Sequence, residues 1–232
     1  ASELPSAEYL FVDDGSDNRT GELPATLSRL ARQYGIRYEL LRYPVSVGFT
    51  MATSEAARRA NGTYLFFLNN DAFVKRHALR ALLDTFTTHA DIGVVGAKLV
   101  GTDDAVQEAG AIIWADASGA WFNKYMPLYR GKRNDIVNHR LNYVRETDYV
   151  SAAVAMVPRR LFIESGMFDV HFSPGYYEDT DLSFTMRAKG LRVLYNPFAH
   201  VVHMAHSTYK ESMDALLERN KQQFASKWQN KL

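Results

Sequence analysis

A single α/β domain with a central, mostly parallel mixed sheet flanked by helices is the fold this chain predicts, on three observations. Tyr64-Leu-Phe-Phe-Leu68 is an unbroken apolar run, too short for a comfortable helix and rich in β-formers, which marks a strand covered on both faces as in the middle of a parallel sheet. Runs of this kind alternate with segments of helical period. Two of them end in acidic turns, Asn69-Asn70-Asp71 and Asp13-Asp14-Gly15-Ser16-Asp17, and in an open α/β sheet the crevice beyond the carboxyl ends of the strands is where ligands bind.

Composition narrows the classes. A chain of 232 residues, 47% of them apolar, can bury one large core or a core with a small appendage. A net charge of +1 argues against a nucleic acid as the main partner. With no cysteine, disulfides and thiolate metal sites are excluded. No apolar run approaches the roughly 18 residues of a membrane span, and the polar first residues do not form a signal peptide. The chain is expected to be soluble as it stands, within a parent that could be larger.

The elements follow in order. Glu8 to Val12 is a short strand, and the turn after it places Asp13 and Asp14 side by side. Two neighbouring carboxylates repel, so a pair facing a crevice needs hydrogen-bond donors or a cation, and ribose hydroxyls or a base N–H are such donors; a solvated acidic turn is the plainer reading. Leu23, Leu27, Leu30 and Ala31 mark one helical face closed by Gly35. Ile36 to Tyr43 is a strand. Pro44 to Phe49 is a turn feeding a small-residue helix, Met51 to Ala60, and Gly48 ahead of it lets backbone approach a ligand at a helix N-terminus. Asp71 either faces substrate or caps a helix starting near Lys75. Ile92 to Val100 is a strand. An aperiodic stretch to about Arg140 carries Trp114, Trp121, Tyr125 and Tyr129, whose rings are expected to pack under a long loop. Tyr149 to Val157 reads as an inner strand, Pro158 starts a short helix ending at Gly166, and another helix follows Glu178 and Asp179. Leu191 to Tyr195 and Ala199 to His203 are two strands around Asn196-Pro197. A last helix, Thr208 to Trp228, has one apolar side and packs on the domain or on a neighbour.

Taken together, Val12-Asp-Asp-Gly-Ser16, Ser46-Val-Gly-Phe49, Leu68-Asn-Asn-Asp71, Gly166-Met-Phe-Asp169, Glu178-Asp-Thr-Asp-Leu182 and His203-Met-Ala-His-Ser207 resemble the inverting family 2 glycosyltransferases, in particular their bacterial polysaccharide branch of rhamnosyl- and galactofuranosyltransferases. The resemblance implies a Rossmann-like GT-A domain over residues 1–207, its nucleotide-sugar half about 1–100 and its acceptor half about 101–207, followed by a packing helix over 208–232. It implies transfer of a sugar, with inversion, from a UDP- or dTDP-linked donor to a hydroxyl of a growing cell-surface glycan or glycolipid. Asp13, Asp14, Gly48, Asn69, Asn70 and Trp121 would then bind substrate. Asp71 and His203 would hold Mn2+ or Mg2+, and the imidazole favours Mn2+. Asp179 would take the acceptor's proton as general base and Glu178 would orient the acceptor. His200 and His206 are nearby competitors for the metal. A cytoplasmic location follows, with peripheral association at the inner face of the membrane left open.

The chain departs from the pattern at several points. The first strand usual in that family has no counterpart in Ala1 to Ala7, which would leave sheet edges uncovered. The triplet is Asn-Asn-Asp, Ser46 stands where asparagine is common, and Ala152 replaces a frequent glycine. These departures motivate the alternative, a non-catalytic or incomplete nucleotide- or glycan-binding domain of a larger protein. A nucleotidyltransferase ranks behind both, for want of a glycine- and lysine-rich triphosphate loop.

Overall fold

The structure is a computed structural model and describes residues 7–16, 22–121, 134, 139–204 and 213–232, with the backbone alone at Ala120 and Trp121. Asp17, Tyr125, Tyr129, His206 and Ser207 lie outside the described residues. In chain order the elements are β1 (Glu8–Asp14), α1 (Leu23–Tyr34), β2 (Arg37–Tyr43), α2 (Phe49–Arg59), β3 (Tyr64–Leu68), β4 (Ala72–Val74), α3 (Ala78–Thr88), β5 (Ile92–Val100), β6 (Val106–Glu108), β7 (Ala111–Ile113), β8 (Gly119–Trp121), β9 (Arg145–Glu146), β10 (Val154–Pro158), α4 (Arg159–Glu164), α5 (Glu178–Ala188), β11 (Arg192–His203) and α6 (Met213–Trp228).

The main sheet has the order β3-β10-β5-β11-β4, with β6 added to β5 and β9 to β11. It is mixed: β5 and β11 run parallel, while β10 is antiparallel to both β3 and β5 and β4 is antiparallel to β11. β1 and β2 form a separate parallel pair, and β7 with β8 a short hairpin. β5, buried at all nine residues, is the central strand.

Two cores sit on opposite faces of this sheet, as the two-residue period of strands requires. Val94, Ala155, Val157 and Val193 meet Ala57 of α2, Phe162 of α4 and Met186 of α5. Val95, Val154, Met156 and Leu194, each one residue out of step, meet Ala78 and Leu82 of α3. Phe67, Phe162 and Phe168 stack with ring centroids 5.0 to 5.2 Å apart. Burying each such ring stabilises the fold by about 1.5–3 kcal/mol.

Several expectations change. β3 is covered on both faces, Leu65 and Phe67 lying in one core and Tyr64 and Phe66 packing against the other, but among the described residues it lies at the end of the sheet order beside the antiparallel β10 and not in the middle of a parallel sheet; Tyr64 packs on Phe86, 4.8 Å between centroids. The chain after Asp71 continues as β4, and α3 starts only at Ala78, behind His77 in a left-handed conformation. Of Tyr149 to Val157, only the part from Val154 is strand, because the amides of Ser151 and Ala152 are taken by carboxylates. The two strands around Asn196-Pro197 are one, β11, whose register against β5 shifts between Asn196 and His200. There the Asn196 side-chain amide donates to Thr85 Oγ1 and to the Ala81 carbonyl of α3, at 2.8 and 3.1 Å.

Candidate functional site

The carboxyl ends of β1, β3 and β11 carry most of the residues named from sequence. At the first of these, Asp13 is buried and accepts from Arg42 Nε at 2.8 Å and from the Ser16 amide at 3.1 Å. Hydrogen bonds from Ser16, aided by the Arg42 guanidinium, hold its carboxyl below the usual carboxylate range. Asp14 accepts from Ser46 Oγ at 2.7 Å, the Val47 amide at 2.7 Å and the Gly48 amide at 2.9 Å. The donors that two adjacent carboxylates need are thus present within the chain, and Asp14 is the residue that folds the Ser46–Gly48 turn against β1.

Glycine is required on both sides of that contact. Gly15 has φ +79°, and a Cβ there would stand 2.3 Å from the Ser46 nitrogen; Gly48 has φ +85°, and a Cβ there would stand 2.6 Å from Pro174. The Pro174 carbonyl also accepts the Thr50 amide at 3.3 Å, so one first-turn N–H of α2 is already taken by the loop ahead of α5.

Asp71 and His203 are brought together by the β4–β11 ladder. Ala72 pairs with His203, the Met204 amide donates to the Asp71 carbonyl at 3.0 Å, and Asp71 Oδ1 lies 3.3 Å from His203 Nε2 with both side chains 15% exposed. The other ring nitrogen, Nδ1, lies 3.2 Å from Gln107 Oε1 on β6. Among the described residues no three histidine, cysteine, aspartate or glutamate side chains gather as a metal cluster. One carboxylate and one imidazole nevertheless fit an ion that completes its shell with phosphate oxygens and water, as Mg2+ and Mn2+ do in nucleotide sites. His200 is half-buried beside Lys98, its register partner, and burial with the lysine charge lowers its basicity; it does not join Asp71. Asn69 follows β3, its amide on the Ala153 carbonyl at 2.9 Å, and Asn70 is exposed on the same turn. The backbone of Trp121 ends β8; its side chain is outside the described atoms.

A second group of carboxylates opens α5. Glu178 and Asp179 open the helix, where its dipole favours negative charge. Asp179 Oδ2 accepts the Ala152 amide at 3.1 Å and Oδ1 the Thr180 amide at 2.7 Å. Burial pushes the Asp179 carboxyl up. Glu178 is pushed well above the ordinary range by burial and by the charge of Asp179, and its Oε2 has no hydrogen-bond partner among the described residues. A third carboxylate, Glu108 on β6, accepts the Ser151 amide at 3.1 Å and is raised to about 8 by burial, with a contribution from Asp179. Asp181 serves structure: it accepts from Lys227 Nζ at 2.9 Å and Trp228 Nε1 at 2.8 Å.

Those last contacts belong to α6, which packs on the domain. Phe224 lies among Phe172, Phe184 and Ala117. The buried Asn220 amide donates to the carbonyls of Phe172, Gly175 and Tyr176 at 3.1, 2.9 and 2.8 Å, and Arg219 holds the Ser173 carbonyl. The loop before Glu178 is thereby fixed from outside the crevice. Asn220→Ala would leave three carbonyls without this donor and is expected to cost about 1–3 kcal/mol of stability, read as a lowered Tm; an unchanged Tm would show that the loop holds itself.

Glu108, Gln107, Arg42 and Asn220 were not singled out from sequence. Gln107 and Glu108 sit in an aperiodic stretch where no spacing marks them, and Asn220 looks like any polar residue of an amphipathic helix.

The family model described as glycosyl transferase family 2 matches residues 2–145. The O-antigen biosynthesis protein RfbC of Myxococcus xanthus is 26% identical over 217 residues, covering 94% of this chain and 16% of that protein. An uncharacterized protein, y4gI, of Sinorhizobium fredii is 24% identical over 198 residues, covering 84% of this chain and 21% of its own length. The chain therefore spans about a sixth to a fifth of the curated relatives it matches. Among solved structures, GalNAc-T7 with UDP, GalNAc and Mn2+ superposes with a TM-score of 0.66 at 16% identity, over 85% of this chain and 37% of that one. The mannosyltransferase PcManGT of Pyrobaculum calidifontis with GDP-Man and Mn2+ gives 0.59 at 15%, over 90% and 51%. The fold is that of the GT-A glycosyltransferases. With the family model matching more than half of this chain, the chain belongs to glycosyl transferase family 2.

Proposed function

We propose that this domain transfers a sugar, with inversion, from a UDP- or dTDP-linked donor to a hydroxyl of a growing cell-surface glycan. The observation that carries the reading is the pairing of Asp71 with His203 at 3.3 Å on one side of the sheet rim, with the elevated carboxylates of Glu178 and Asp179 at the start of α5. Neighbours solved with UDP or GDP-Man and Mn2+ support a nucleotide-sugar donor and a divalent ion, and the relative named for O-antigen biosynthesis supports a surface polysaccharide as product.

Asp71 and His203 would hold Mn2+ or Mg2+, which as a Lewis acid offsets the charge gathering on the departing diphosphate. Asp14 keeps the Ser46–Gly48 turn shaped beside the donor, and Asn69 and Asn70 offer neutral polar groups at the same rim. An acceptor hydroxyl must lose its proton as it attacks the anomeric carbon, and Asp179 takes that proton at a carboxylate oxygen. Burial that raises the basicity of Asp179 suits it to the task, since a general base works best when its pKa approaches the working pH. Glu178 orients the acceptor. Residues 1–207 form the transferase unit and α6 braces it.

Titration calorimetry with UDP and dTDP, with and without Mn2+, tests the reading. Metal-dependent binding of one of the two nucleotides is expected; binding of neither would overturn the transferase assignment in favour of a non-catalytic domain.

A further inference from the structure

The side-chain amide of Gln107 touches one residue twice. Its Nε2 donates to the His203 carbonyl oxygen at 2.8 Å, while its Oε1 lies 3.2 Å from His203 Nδ1. A backbone carbonyl only accepts, so the amide nitrogen must face it, and this settles which end of the amide faces the ring. That end is an oxygen, so Nδ1 must carry the proton. A neutral imidazole has one N–H and one lone pair, and the lone pair then sits on Nε2. Nε2 is the atom 3.3 Å from Asp71 Oδ1. In the neutral ring two acceptors then face each other at that distance and repel, and a cation between them, a proton or a metal ion, removes the repulsion.

We propose that Gln107 is a positioning residue that binds Nδ1–H and the carbonyl of His203 together, and so reserves Nε2 for a divalent cation shared with Asp71. The proposal rests on the metal reading of the Asp71–His203 pair. The amide is delivered from a firm support: Gln107 lies in β6 between Val106, which pairs with Val100, and Glu108, which pairs with Leu99, and both partners lie in the fully buried strand β5. A histidine in water favours the opposite tautomer, with the proton on Nε2, so the ring's state here depends on a partner for Nδ1. Outer partners of metal-ligating histidines act in this way, orienting the ring and fixing its proton.

The test is a 15N–1H correlation spectrum of the His203 ring in the metal-free full chain, at a pH where the ring is neutral, with His203→Asn identifying its signals. The wild-type ring is expected to carry its proton on Nδ1, and Gln107→Leu to shift it toward Nε2. Mn2+ affinity, measured by electron paramagnetic resonance without nucleotide, should fall about 10–100-fold in Gln107→Leu. Gln107→Glu, which keeps an acceptor opposite Nδ1, should retain the wild-type tautomer. A wild-type ring with a bare Nδ1 overturns the proposal, as does wild-type Mn2+ affinity in a Gln107→Leu chain of unchanged Tm. Wild-type chain that binds no Mn2+ overturns the metal reading itself; loss of Mn2+ in Asp71→Ala but not in Gln107→Leu leaves that reading standing and removes Gln107 from it.

Discussion

Asp179→Asn is expected to lower kcat by about 10³-fold while leaving nucleotide affinity near that of the wild type. General-base catalysis contributes roughly 10²–10⁴ in rate, and the Ser46–Gly48 turn is held by Asp14 rather than by Asp179. The substitution is nearly isosteric, but one Asn oxygen cannot serve both the Ala152 and the Thr180 amides that the two Asp oxygens accept, so a melting curve must accompany the kinetics. The pH profile supplies a readout that misfolding would not imitate. A carboxylate accepts a proton only when ionised, so kcat/KM rises with pH through the limb set by the Glu178–Asp179 pair. Burial raises both groups, so this limb lies above the usual carboxylate range, and it disappears in the variant. Turnover retained in Asp179→Asn, or a profile with its acidic limb unchanged, would remove Asp179 from the role of base.

Asp71→Ala is expected to abolish the Mn2+-dependent part of nucleotide binding and to lower turnover by about 10³-fold. Among the described residues one carboxylate and one imidazole meet there, so deleting the carboxylate removes the charged half of the donor set. The several kcal/mol of transition-state stabilisation that a bound ion supplies correspond to about that factor in rate. Chelation of the wild type should reproduce the defect, and added Mn2+ should rescue the chelated wild type but not the variant. A variant that binds nucleotide more tightly with Mn2+ than without it would show that the ion is held elsewhere.

The acidic turns were legible in sequence because strand ends and carboxylates have strong local signatures. Val12 to Asp14 and Leu68 to Asp71 each place a charge beyond an apolar run. α1 is matched at both ends, since Leu23 to Tyr34 has a clear period and Gly35 has the left-handed φ of +63° that closes it. The order of strands was not legible: β3 reads as central by its apolarity, yet its neighbour is the antiparallel β10 and it lies at the end of the order. Residues 149–153 look like strand by β-branched and small side chains, but the amides of Ser151 and Ala152 go to Glu108 and Asp179. No local pattern announces a carboxylate 43 residues away. Gln107 was invisible for the same reason, since a glutamine's meaning is set by the histidine 96 positions on.

The grip of α6 on the loop before α5 has a bearing on how variants of this domain should be sorted. None of its side chains is assigned to the reacting groups, yet Asn220 holds the carbonyls of Phe172, Gly175 and Tyr176, and Trp228 anchors Asp181, two residues from Asp179. Through Pro174, the same loop packs against Gly48. Changes in the last helix would therefore pass for lesions of the crevice in any screen that scores output alone, and ranking substitutions by distance from Asp179 would discard the ones that steer it.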